Sequence, residues 1–94
     1  MGGRNKMKAR TKFKKLGYEC YEDENYIDYR KDFGYGIKYI IVFVKFMKCI
    51  EITPFNNGKE HYFVRLDKET IEAIDKQIEE LKWWNVLQYG SSKE

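Results

Sequence analysis

Cys20, Cys49 and His61 are the two thiols and the one imidazole of this 94-residue chain, so thiolate chemistry would have to run through them. A cysteine nucleophile needs a base, and His61 is the one histidine that can serve. Cys49 opens one strand-like segment and His61 opens the next, so antiparallel pairing would bring the two toward each other. Nothing around either thiol promises the depressed pKa of a reactive cysteine. The expectation is two packed, reduced thiols and a solvated or strand-capping imidazole. These side chains form no C-x-x-C pair and cannot complete a tetrahedral zinc site. No metal and no cofactor is expected.

Carboxylates are numerous but badly spaced for acid–base work. Glu22, Asp23 and Glu24, like Glu79 and Glu80, are neighbours in sequence, whereas an acid and a base must converge across a cleft. They read as solvated faces. Gly34-Tyr35-Gly36 lacks the third glycine and following helix of a dinucleotide loop, and no P-loop lysine motif occurs. The chain is therefore expected not to be an enzyme.

Charge divides the chain unevenly. Arg4, Lys6, Lys8, Arg10, Lys12, Lys14 and Lys15 precede the first acidic residue, Glu19, while from Leu16 onward 11 Lys and Arg face 15 Asp and Glu, a net of −4. Residues 1–15 read as a flexible basic arm, 16–89 as one domain and 90–94 as a disordered tail. Phe13 within the basic run and Tyr18 beside it offer stacking surfaces near phosphate-binding cations, the pattern of a nucleic-acid contact. The acidic body would repel a phosphate backbone over much of its surface. Two glycines followed by a second methionine at Met7 also suggest a ribosome-binding site read as protein, so residues 1–6 are a candidate misassigned leader.

The elements that must position these residues follow from period and turn chemistry. Thr11 can cap a short helical turn holding Phe13 and Leu16, which Gly17 closes. Segments 18–22 and 26–31 are rich in β-formers around Asp23-Glu24-Asn25 and predict a hairpin. Residues 32–36 predict a loop. Ile37–Val44 is apolar on both alternating faces, as in a central strand covered on two sides, and a second copy of the chain is a candidate cover. Residues 45–48 fall where a turn is needed without Gly, Asn or Pro. After a strand at 49–53, Pro54 is expected to stop the ladder, and Asn56-Asn57-Gly58 supplies a hairpin turn. A last strand at 61–66 leads to Asp67, the cap of a helix from Lys68 with Ile71, Ile74, Ile78 and Leu81 as its buried stripe. The fold class is α+β: a four- or five-stranded antiparallel sheet, one C-terminal helix across a face and a short N-terminal helical turn.

Candidate partner anchors are apolar residues at positions that look exposed: Tyr35 between glycines, Phe46 and Met47 in the 45–48 turn, Phe55 after Pro54, and Trp83 off the helix stripe. Glu22, Asp23 and Glu24, with Asp28 and Asp32, form a second candidate surface around the first hairpin. The longest nearly apolar stretch is too short to cross a bilayer, and the basic start lacks the apolar segment of a signal peptide. A soluble, cytoplasmic protein is expected.

The segments 12–19 and 22–29, from Lys12-Phe13-Lys14-Lys15-Leu16-Gly17-Tyr18-Glu19 to Glu22-Asp23-Glu24-Asn25-Tyr26-Ile27-Asp28-Tyr29, together with Val64 to Leu81, where a strand leads into a capped acidic helix ending near a Trp pair, resemble small phage and prophage proteins of low-GC Gram-positive bacteria. The resemblance spans most of residues 12–84 and brings no functional residues with it. It implies an accessory protein of a mobile element in a bacterial cytoplasm, of the kind that includes inhibitors of host defence systems such as anti-CRISPR proteins. The expected function is non-enzymatic binding that occludes a host or defence-system protein. The alternative is nucleic-acid binding through the basic arm.

Overall fold

A computed structural model describes residues 7–60 and 64–83. Helix α1 spans Ala9–Lys15, strands β1 to β5 span Glu19–Glu22, Tyr26–Gly34, Ile37–Val44, Cys49–Asn56 and Lys59–Glu60, and helix α2 spans Lys68–Leu81. The five strands pair antiparallel in sequence order, and both helices pack on one face of the sheet. The α+β expectation holds, as does the single C-terminal helix.

From Ala9 to Lys15 the basic run is a helix of the domain rather than a flexible arm. Ala9, Phe13 and Leu16 recur at intervals of four and three, and this stripe packs inward with Ala9 and Phe13 fully buried. Thr11 is not its cap. The N-terminal position belongs to Lys8, which makes no side-chain cap; instead the Ala9 amide donates to the Glu80 carboxylate of α2 at 2.8 Å. That contact satisfies an orphan helix donor and sets an anion at the positive end of α1, so Glu80 is more than a solvated face. Gly17 closes the helix as expected. With Gly17 at φ 95°, its amide donates to the Lys14 carbonyl and the Tyr18 amide to the Phe13 carbonyl, both at 3.0 Å, the paired bonds of a Schellman turn. Arg4 and Lys6 lie outside the described residues.

Alternation along the strands divides the sheet into two faces. Ile27 and Tyr29 of β2 and Ile41 and Phe43 of β3 face the helices and form the core with Phe13, Ile74 and Ile78. Phe13 stacks on Tyr29 at 3.8 Å between ring centres, and Phe43 meets Tyr29 edge-on at 6.0 Å. The Tyr29 hydroxyl donates to the Gln77 side-chain oxygen at 2.6 Å, which satisfies two buried polar groups at once. β3 is the central strand, as its two-sided apolar pattern predicts. Only one of its faces is covered by the described helices.

The connections explain where sequence signals hold and fail. Asn57 and Gly58 both have positive φ, 56° and 79°, as a two-residue type I′ hairpin turn demands. Tyr35 and Gly36 do the same at 56° and 78°, so the expected 32–36 loop is instead a strand that runs to Gly34, with a bulge between Asp32 and Gly34, and a two-residue turn. These two turns touch. The Asn57 amide donates to the Gly36 carbonyl at 2.7 Å, and a Cβ on Gly36 would run into the Asn57 side-chain oxygen. Residues 45–48 do form a hairpin turn, with Lys48 at φ 53° supplying the left-handed residue. Pro54 does not stop β4, which continues to Asn56 with Pro54 opposite Tyr39; a proline removes one donor but keeps an extended backbone. Beyond the last turn Lys59–Glu60 is the only strand among the described residues, and residues 64–66 belong to none. The remainder of the expected 61–66 strand, including His61, lies outside the described residues.

Asp67 caps α2 as its sequence position predicts, accepting from the Thr70 amide at 2.8 Å and the Thr70 hydroxyl at 2.6 Å. These bonds hold its carboxyl below the ordinary value of 3.8. The buried stripe is rotated from the isoleucine pattern, however. Thr70, Ala73, Ile74, Gln77 and Ile78 face inward, and Ile71 is 47% exposed, because α2 must meet α1 as well as the sheet.

Burial of Tyr18 pushes its hydroxyl up to about 12 from 10.0, with the Thr70 hydroxyl opposing and the Asp67 carboxylate adding to the rise. Burial likewise raises Tyr29, helped by Cys20. A raised folded value favours the fold fully below pH 10 and loses that contribution as pH climbs through 12. For Tyr18 alone the difference corresponds to roughly 2–3 kcal/mol. Thermal midpoints should therefore be insensitive to these phenols up to about pH 10 and fall steeply above it, with a smaller fall in Tyr18→Phe; equal falls in both would exclude Tyr18 as a cause.

Candidate partner-binding surface

Two loops meet at one end of the sheet. In the first, the Asp23 carboxylate accepts from the amides of Asn25 and Tyr26, each at 2.8 Å, which draws its carboxyl below the ordinary range. The second, residues 45–48, lies against it: the Lys45 amide donates to the Asn25 carbonyl at 2.9 Å. The Lys45 ammonium reaches the Glu22 carboxylate and the Asp23 carbonyl, both at 2.9 Å. Arg10 of α1 adds a 2.7 Å bond to the same Glu22. This lattice fixes where the following residues point.

Phe46 and Met47 come next in the chain and remain 64% and 62% exposed. The Phe46 ring meets Tyr26 edge-on at 6.0 Å, while Val44 at their base is buried. The result is an outward patch of two aromatic rings and a thioether on a tethered turn. Its acidic neighbours are less available than their sequence suggests. Glu22 is shared between Arg10 and Lys45 and Asp23 is consumed by its turn. Asp28 pairs with Arg30 at 3.1 Å and Asp32 accepts from the Gly34 amide. Of the three acidic residues expected at a partner surface, Glu24 alone is exposed with neither an ion pair nor a side-chain hydrogen bond among the described residues.

The other expected anchors lie elsewhere. Tyr35 is 95% exposed, but at the opposite end of the sheet from Phe46. Phe55 is half-buried on the helix-free face, where it lines a depression of about 440 Å³ with Asp32, Lys38 and Ile40. Trp83 is not an exposed anchor at all. α2 ends at Leu81, and Lys82 at φ 62° turns the chain back, with the Trp83 amide donating to the Ile78 carbonyl at 3.1 Å. That turn drives the indole into the core, 4% exposed and 6.1 Å from Phe43. The helical period placing Trp83 outward had already ended, and no glycine marks the stop.

The cations on α1 have a structural use as well as a candidate ligand. Lys12, Lys14 and Lys15 occupy the last turn, where the helix dipole favours positive charge. Lys8, Arg10, Lys14 and Lys15 are exposed. Both cysteines are unpaired thiols, and no group of three metal-ligating side chains occurs among the described residues. No described helix is long and apolar enough to cross a membrane.

Tyr26 is the member of the patch that the sequence did not single out. Its signal is parity: it leads β2 out of phase with the inward Ile27 and Tyr29, so it must face away from the helices. Comparison with family models, with curated proteins and with solved structures gives no significant match, and the surface stands on its geometry alone.

Proposed function

We propose that the chain is a non-enzymatic binding protein of a phage or prophage that occludes a surface of a host or defence-system protein in the bacterial cytoplasm. The observation supporting this reading is the exposed Phe46–Met47–Tyr26 patch, held in place by Lys45. An apolar anchor that is already ordered loses little conformational freedom on docking, and aromatic side chains dominate such contacts. Glu24 lies in the adjoining loop, and supplies a charged rim.

The test is capture from a low-GC Gram-positive host lysate by wild type, Phe46→Asp and Met47→Asp. Loss of an anchor of hot-spot strength, about 2 kcal/mol, lowers affinity roughly thirtyfold. Both side chains are largely solvated, so stability should change by no more than about 0.5 kcal/mol. Equal recovery of the same partner by all three proteins would rule out this patch.

The second reading is nucleic-acid binding, favoured by exposed Lys14 and Lys15 on an ordered helix and by exposed Lys8 at its N-cap. Removing residues 1–15 cannot test it, since Phe13 belongs to the core. Lys14→Glu with Lys15→Glu preserves the buried stripe; affinity for unrelated DNA should drop and its salt dependence flatten by roughly one logarithmic unit per lost phosphate contact.

A further inference from the structure

We infer that the helix-free face of the sheet packs against the same face of a second copy of the chain, about a two-fold axis that crosses the strands between Asp28 and Arg30. The face has a central apolar pair, Ile40 and Val42, half-buried on the middle strand. Its charges decide what can cover it.

Register places Tyr21, Asp28, Val42 and Glu51 side by side in one row across β1 to β4. The next row holds Glu19, Arg30, Ile40 and Thr53. A two-fold axis between the rows lays each on the other. Asp28 then meets Arg30 of the second copy and Arg30 meets its Asp28, while Val42 meets Ile40 in both directions. No like charges oppose in these rows.

Other two-fold placements match less well: an axis between the rows of Arg30 and Asp32 lays Lys38 on the apolar Ile40, and one between the rows of Tyr26 and Asp28 gives Asp28 no opposite charge. An axis along β3 sets Asp28 against Glu51, and an axis through either row sets Asp28 on itself or Arg30 on itself; like charges in such contacts are penalised. Aligned sheets pack at roughly 30° to one another, which blurs the match at the rims and keeps it at the centre, where these residues lie. Arg30 is already positioned, 3.1 Å from Asp28 and with its guanidinium 4.5 Å above the Tyr21 ring. Dimerisation would close four alternating charges into a cluster beside Ile40 and Val42, an isologous contact of the kind closed dimers use. Tyr26 of the Phe46 patch lies in the adjoining row of the same face, whereas Phe46 and Met47 stand in the turn beyond it, so exchanging Asp28 and Arg30 tests the dimer without altering those two anchors of the proposed function.

Sedimentation equilibrium of the full chain from micromolar to millimolar concentration tests it. The wild type should pass from 11.4 kDa toward twice that mass, less readily at high salt. Asp28→Arg alone and Arg30→Asp alone should each stay monomeric with unchanged thermal unfolding. An equimolar mixture of these two variants should dimerise, because each supplies the charges the other lacks, and both substitutions in one chain should restore the homodimer. A wild type that stays monomeric throughout, single variants that dimerise as the wild type does, or a mixture that fails to associate would each overturn the inference. Should either single variant fail to unfold cooperatively, the doubly exchanged chain decides: a monomer there overturns it as well.

Discussion

Phe13→Ala is expected to remove about 3–5 kcal/mol of stability, a large part of the roughly 5–15 kcal/mol that holds a domain together. Phe13 is fully buried, stacked on Tyr29 and edge-on to Tyr18 at 5.3 Å. A helix of seven residues is too short to persist without tertiary contacts, so losing this ring also frees the rest of α1. The Ala9 amide would then leave Glu80, and Arg10 its bond to Glu22. Urea unfolding measures the loss directly. A change under about 1 kcal/mol, the scale of a surface substitution, would mean that the basic run is an appendage after all.

That outcome turns on a stripe hidden by charge. Ala9, Phe13 and Leu16 were readable as one helical side, yet seven cations around them suggested an arm, because composition outweighed period in a segment so short. Elsewhere local chemistry was enough. The 56–58 turn, the Asp67 cap and the central strand are each specified within a few residues, by left-handed conformers, a side-chain acceptor and a β-branched run. What the sequence could not disclose were places where a distant element decides the local outcome. Lys48 and Lys82 adopt left-handed backbone without being Gly or Asn, the first in a loop anchored to Asn25 and the second where an indole is drawn into the core. Ile71 is exposed because α2 turns toward α1. The Phe46 patch was half legible: its two apolar residues stood out, whereas the Tyr26 ring beside them and the capture of Glu22 by Arg10 and Lys45 required the fold.

Trp83→Ala should prove nearly as damaging as Phe13→Ala, at about 3–5 kcal/mol, and the contrast with Phe46→Asp separates core from surface among aromatics that look alike in sequence. The indole fills space beside Phe43 and lies one residue beyond a left-handed Lys82. Such a conformation at a residue with a Cβ costs of order 1 kcal/mol or more, and it persists only while burial of the ring offsets it. Removing the ring therefore takes away packing and the reason for the turn together, and the last turn of α2 should fray. Hydrogen exchange would show this as lost protection at Leu81, Lys82 and Trp83, where the Schellman bonds to Ile78 and Glu79 are broken. Lys82→Gly tests the same coupling from the other side. Glycine relieves the backbone cost at the left-handed position without touching the ring, so stability should rise by a few tenths to about 1 kcal/mol, and in the Trp83→Ala background that gain should vanish with the turn it depends on.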